Sequence, residues 1–307
     1  MITFKHSGQL GDIVYSLFTV KSICGDSKKA IFYINLYQPI ILNLTGNTYV
    51  TYGVDKESYK FIVPLIAAQP YIEKVLVYNG EVVDVDFDYI LFKVRYGIAP
   101  QKNIIEYFSN IDYSNINKWL NLPSFNGFPN LNIFSRSRRY RNETLNYAEV
   151  AKKFCFVGLR AEVDFDIPRI PVQNALQLAN LLNHCNCFLG NQSLPYAIAW
   201  GLDVQPRALE IGPVRNVNDD DGVEIYDNVD LFNYCSKINA TSTDYLLHGD
   251  NIESVDAEKF VGQFDEVFYL NNHRDVMAAV LSGELKSGKE HYLLHGMQEN
   301  RKMAKIK

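Results

Sequence analysis

The chain has 307 residues, 47% of them hydrophobic, and a formal net charge of −5, enough length for two domains with ordinary cores. The acidic balance removes any general electrostatic case for nucleic-acid binding, so only a local basic patch could supply one. No apolar run reaches bilayer-spanning length ("FIVPLIAA", 61–68, is typical of the longest), and Gly8, Gln9 and Asp12 break up any signal-peptide core.

The first element is a short apolar strand, Ile2 to Phe4, which runs into a loop with two glycines. Beyond the loop, Ile13, Leu17, Val20 and Ile23 recur at helical spacing, so a helix is expected to open on Gly11 and Asp12. A strand, a glycine turn and a helix make half of a βαβ unit, and glycine lets a ligand approach the backbone closely. Asp12 at the helix start has two readings: a cap favoured by the helix dipole, or a base facing a cleft.

"KAIFYIN" (29–35) reads as the second strand. "ESYKFIVPLIAAQ" (57–69) reads as a helix that Pro64 kinks or restarts. "EKVLVYN" (73–79) and "DYILFKV" (88–94) read as further strands, and 104–122 carries helical stretches with aromatic anchors. "PSFNGFPN" (123–130) breaks the periodicity with two prolines and a glycine, and the domain boundary is expected there.

The pattern then restarts. "LNIFS" (131–135), "KFCFVGL" (153–159), "CFLG" (187–190) and "PRALEIG" (206–212) read as strands. "VQNALQLANLLNHC" (172–185) and "LPYAIAWGL" (194–202) read as helices, with Pro195 suited to a first helical turn. Strand–helix alternation in both halves implies an α/β fold: two Rossmann-like domains with parallel sheets facing across a cleft. The expected division is 1–125, 126–235 and a C-terminal extension, 236–307. That extension is polar at first, then offers the apolar stretch 261–270 and a helical 274–285. Ligands of such sheets bind beyond the carboxyl ends of the strands.

Three loops follow strands where a nucleotide-linked ligand would need them. "SRSRRYRN" holds Arg136, Arg138, Arg139 and Arg141; guanidinium groups match phosphate oxygens, although such runs are also ordinary solvated loops. In "FVGLRAEVDF", Gly158 ends a strand and Glu162 could accept hydrogen bonds from ribose hydroxyls. In "FLGNQSLPYAIAWGL", Asn191, Gln192 and Ser193 lead into a helix whose free amides suit a diphosphate. Cys185 and Cys187 with His184 suggest a metal, but no second ligand cluster appears, so they read as core thiols and no metal is expected. Five cysteines, an odd number, suit free thiols in a reducing, cytoplasmic compartment.

Four segments in consistent order, "HSGQLGDIVYSLFTVKSI", "PLIAAQPYIEKV" (64–75), "SRSRRYRN" and "FLGNQSLPYAIAWGL", resemble glycosyltransferase family 9 over about residues 1–230. The heptosyltransferases of lipopolysaccharide assembly are that family's best-known members. The resemblance implies a GT-B fold, with acceptor on the first domain, nucleotide-sugar on the second and no obligatory metal. It implies an inverting glycosyltransferase whose nucleotide-sugar is a substrate, with no cofactor. Asp12 falls on the family's proposed catalytic base and Glu162 near its ribose ligand.

Donor contacts are expected from Arg138, Arg139, Glu162, Asn191, Gln192, Ser193 and Tyr196, and the loop Ser7, Gly8, Gln9 and Gly11 is expected beside acceptor and donor. "NQSLPY" departs from the heptosyltransferase Asp-Thr-Gly-x-x-His: Asn191 replaces aspartate, Ser193 glycine and Tyr196 histidine, and Phe18 replaces a proline. These departures argue against assuming ADP-heptose as donor. Acceptor classes left open are a glycan, a lipid-linked sugar, a protein or modified DNA. Two rival readings are a non-catalytic binding or scaffolding module and a nucleotide-sugar epimerase, for which His6 is the nearest acid/base candidate.

Overall fold

The computed structural model describes residues 1–44, 47–88, 118–123, 130–159, 162–213, 215, 217–219, 221–240, 269, 272–281 and 288–291. The strand expected at 88–94 falls outside them beyond its first residue, as do most of 104–122, positions 124–129 of the boundary stretch, and 261–268. The chain forms two compact units, Met1–Ser242 and Thr243–Lys307. In the second, Arg274–Leu281 and Gly288–His291 are helical, and the Tyr269 hydroxyl lies 3.0 Å from His291 Nδ1.

The first unit holds two parallel sheets. In chain order its first half contains β1 (Ile2–His6), α1 (Leu10–Cys24), β2 (Ala30–Ile34), β3 (Pro39–Leu44) and β4 (Asn47–Tyr52). It continues with α2 (Lys56–Ala67), β5 (Ile72–Val77) and β6 (Val85–Asp86). The sheet runs β5-β2-β1-β6 with every pairing parallel, while β3 and β4 form a separate antiparallel hairpin. Without the hairpin this is the winding order of a Rossmann half, whose order reverses beside β1.

The second half contains β7 (Asn132–Ser135), α3 (Ala148–Lys153), β8 (Cys155–Phe156), α4 (Ala175–Asn183) and β9 (Cys187–Asn191). It ends with α5 (Leu194–Gly201), β10 (Arg207–Glu210), β11 (Val223–Ile225) and α6 (Asn228–Ser236). Its five strands run β11-β10-β9-β7-β8, again all parallel, so the order reverses between β7 and β9. Strands β7, β9 and β10 are buried along their whole length, as expected of strands covered on both faces. No described strand joins the two sheets.

Helices α1 and α5 hold the halves together. Phe18 meets Trp119 edge-on at 6.0 Å, Trp119 meets Trp200 at 5.8 Å, and Tyr15 meets Trp200 at 5.8 Å. The Trp119 indole N–H donates to the Val14 carbonyl at 3.1 Å, and the Trp119 and Leu120 amides both donate to the Gly201 carbonyl. Phe18, where the resembling family has a proline, is thus a packing residue of this interface. Each such aromatic pair contributes about 0.5–1.5 kcal/mol beyond its buried area.

Several elements differ from expectation. Pro64 lies inside a single helix, Lys56–Ala67; it sits in the last turns, where its missing N–H removes one bond. Helix α1 opens at Leu10 with Gln9 as its cap, so Asp12 is the third helical residue and not the cap. The hairpin, α3, β11 and α6 were not anticipated. Cys187 packs in the core below the second sheet with Phe134, Phe156 and Tyr234, and His184 Nδ1 lies 2.8 Å from the Asn180 carbonyl.

Candidate active site

A cavity of about 720 Å³ opens where the carboxyl ends of both sheets converge. It is walled by the loops that follow the switch-point strands: Gln9–Asp12 after β1, Ser135–Ser137 after β7 and Gln192–Pro195 after β9. This is where a doubly wound sheet presents a ligand site.

Two helix starts meet there. A Cβ placed on Gly11 would lie only 3.6 Å from the Leu194 amide nitrogen, so the first turns of α1 and α5 are nearly in backbone contact. Neither Gln9 nor Ser193 caps its helix with a side-chain hydrogen bond. The amides of these first turns, which lie ahead of the intrahelical ladder, with the positive ends of two helix dipoles, favour an anion. The start of α2 forms a further wall with Glu57 and Ser58, and there the Asp55 carboxylate accepts from the Ser58 N–H at 2.7 Å.

Asp12 lines the cavity from the first turn of α1. Glu162 lines it from the opposite half, and its Oε2 accepts from the Leu159 N–H at 2.9 Å. Burial raises the Glu162 carboxyl above its ordinary range, while the Leu159 N–H and nearby Arg138 oppose that rise. Gly158 shapes this turn: it adopts φ +150°, and a Cβ there would lie 2.9 Å from Glu162 Oε2 and 2.7 Å from the Phe156 ring.

Of the residues expected from sequence, Gln9, Gly11, Asp12, Arg136, Glu162, Gln192 and Ser193 meet at this cavity, while Ser7, Gly8, Arg138, Asn191 and Tyr196 are not part of its wall. Ser7 is buried under the loop, its N–H donating to Asp88 Oδ1 at 2.6 Å and its hydroxyl to Asp88 Oδ2. The Gly8 N–H donates to His6 Nδ1 at 2.8 Å, which fixes the turn after β1 and keeps fully buried His6 out of the cavity wall. Asn191 is wholly buried: its Oδ1 accepts from the Ser137 N–H at 3.0 Å, and its Nδ2 donates to the Ser137 carbonyl at 2.7 Å. Both ends of the amide are therefore engaged within the fold, away from the cavity wall. Tyr196 is likewise not part of that wall. It faces the interior, where its hydroxyl donates to Asp219 at 2.7 Å.

The arginine loop divides. Arg136 is buried, lies over the Tyr147 ring at 4.3 Å and pairs with Glu210 at 3.2 Å; Arg141 pairs with Glu143. Arg138 is exposed beside Glu162 but outside the cavity wall, and the side chain of Arg139 is outside the described residues. Arg136 lines the cavity wall while its guanidinium is paired with the buried Glu210 carboxylate.

Sequence reading missed Tyr15, Tyr140, Glu57 and Ser58, all of which line the cavity. For Tyr15 the signal was present, since a residue three after Asp12 shares its helix face. It also missed the buried cluster beneath the site, in which Arg207 Nη2 donates to Asp219 Oδ1 at 2.6 Å and Arg207 Nη1 meets Asp203 at 3.2 Å.

No protein-family model and no curated protein matches the chain. Among solved structures it is similar to the E. coli heptosyltransferase WaaC with ADP-2-deoxy-2-fluoro heptose: 10% identity, 73% of this chain, 92% of that one, TM-score 0.47. It is similar to a glycosyl transferase family 9 structure from Veillonella parvula at 11% identity, covering 85% and 97%, with TM-score 0.43. It is also similar to E. coli ADP-heptose lps heptosyltransferase II at 13% identity, covering 73% and 89%, with TM-score 0.44.

Proposed function

We propose that the protein is an inverting glycosyltransferase of the family 9 type, moving a sugar from a nucleotide-sugar to an acceptor hydroxyl without a metal. One observation carries this reading: a single cavity combines the Asp12 and Glu162 carboxylates with two uncapped helix starts in near contact. A ligand rich in hydroxyls and bearing an anionic bridge answers both features at once. The carboxylates accept hydrogen bonds from sugar hydroxyls, and the helix amides donate to phosphate oxygens.

In the proposed reaction Asp12 takes the acceptor hydroxyl proton as that oxygen attacks the anomeric carbon. The bond from that carbon to the diphosphate breaks on the opposite face, which inverts the centre. Charge then grows on the departing diphosphate, where the amides of the α1 and α5 first turns, with Gln192 and Ser193, stabilise it. These helix ends do electrostatic work that a divalent cation does in other transferases. On this reading residues 1–125 act as the acceptor domain and 126–235 as the nucleotide-sugar domain, with Glu162 on the ribose. The acceptor is a glycan, lipid-linked sugar, protein or modified DNA. A cytoplasmic setting fits five free cysteines. No helix among the described residues is long and apolar enough to cross a membrane.

Asp12→Asn tests the reading, since asparagine keeps the shape and loses the basicity. Donor binding is expected to be unchanged by calorimetry, while transfer falls by roughly two or more orders of magnitude, the usual contribution of a placed base. Full transfer activity in this variant would remove Asp12 from the chemistry. The engagement of Asn191 and Tyr196 inside the fold favours a second reading, a binding module without turnover. It would show donor binding in the wild type and no nucleoside diphosphate release.

A further inference from the structure

We propose that Tyr15 is a ligand-contacting residue whose hydroxyl donates a hydrogen bond to a phosphate oxygen of the nucleotide-sugar where α1 and α5 meet. The inference rests on the nucleotide-sugar reading of the cavity and adds a residue to it. Tyr15 is only 3% exposed, yet it is part of the cavity wall. Its hydroxyl is fully buried and has no hydrogen-bond partner among the described residues. Buried hydroxyls in folded proteins are nearly always paired, so this one lacks an acceptor that a ligand would supply.

The neighbours decide what that acceptor is. Asp12, Asp219, Tyr140 and Arg207 act electrostatically on Tyr15, and burial together with the two carboxylates pushes its phenol well above the ordinary tyrosine value. The group therefore keeps its proton at neutral pH and serves as a donor. Asp219 does not take that proton, because it already accepts from Tyr196 and from two nitrogens of Arg207. Tyr15 stands one turn after Gly11 and Asp12 and shares their face of α1. The Gly11 turn is the one whose backbone closely approaches Leu194 at the start of α5. Asp12, Glu57 and Glu162 bind hydroxyl protons, whereas a donor beside two helix starts matches the acceptor-only oxygens of a phosphate.

Tyr15→Phe removes the hydroxyl and keeps the ring against Trp200. Calorimetric titration of wild type and variant with ADP, UDP, GDP and CDP, and with the matching nucleosides, reads the effect. For the diphosphate that the wild type binds, affinity is expected to drop about tenfold or more, the worth of one charge-assisted bond, with the nucleoside unaffected. The melting temperature is expected to equal or exceed that of wild type, because an unpaired buried group has gone. Equal diphosphate affinity in the two proteins would overturn the inference and leave the proposed function standing. So would an equal loss for nucleoside and diphosphate, or a lower melting temperature, since either assigns the hydroxyl to packing. A wild type that binds none of the four diphosphates would overturn both.

Discussion

Asn191 shows how one side chain can end a strand and tie down a neighbouring loop. Its amide accepts from the Ser137 N–H and donates to the Ser137 carbonyl, closing a ring that only an amide can close from both sides. Aspartate, which the resembling family carries there, could accept but not donate. Asn191→Asp is therefore expected to place an unmatched carboxylate in the core and lower stability by about 1–3 kcal/mol in denaturant titration. An unchanged midpoint would mean that the loop after β7 is held by other contacts. Asp219 makes the complementary case. It is buried with Arg207 and Tyr196, and Asp219→Ala leaves the arginine without its main partner, for an expected loss of about 3–5 kcal/mol.

At the scale of elements, the loop after β1 depends on a residue in the connection between the hairpin and α2. A Cβ on Gly53 would lie 2.0 Å from the Ser7 carbonyl oxygen, so no larger residue fits without moving that loop. Gly53→Ala is expected to lower stability by about 1–3 kcal/mol and to reduce donor binding, because the first turn of α1, whose amides are proposed to face the diphosphate, follows from the displaced loop. Binding at wild-type strength would separate the loop from the site. The start of α2 carries a pH signature. The Ser58 N–H holds the Asp55 carboxyl below its ordinary range, so the cap is most stabilising once that carboxyl is charged. Its contribution is complete above the unfolded aspartate value and is lost as pH falls through the lowered folded value. Asp55→Ala should thus be about 1 kcal/mol less stable than wild type at neutral pH, with the two curves converging in acid. A constant gap across that range would show that the carboxylate charge is not what caps the helix.

Over the whole molecule, the parallel sheets were legible where a short apolar run is followed by a helical period, as in Ile2–His6 with Leu10–Cys24 or Cys187–Asn191 with Leu194–Gly201. The β3–β4 hairpin was not, since its β-rich strands interrupt that alternation; α3 spans only Ala148–Lys153, too few residues to show a period. At the site, backbone features were readable: the glycine loop at Gly11 and the polar helix start at Gln192 and Ser193. What the side chains of Asn191, Tyr196 and Arg136 do was not readable. Each is engaged by a partner distant in sequence, respectively Ser137, Asp219 and Glu210, and local pattern carries no trace of such pairs.

On the proposed reading, both halves grip one nucleotide-sugar in the shared cavity. The most direct measurement incubates the protein with a panel of nucleotide-sugars, with and without candidate acceptors, and follows nucleoside diphosphate release. Release is expected from one donor class, by slow hydrolysis alone and by faster transfer once a suitable acceptor hydroxyl is present. Interconversion of the donor without release, or no release from any donor, would contradict it.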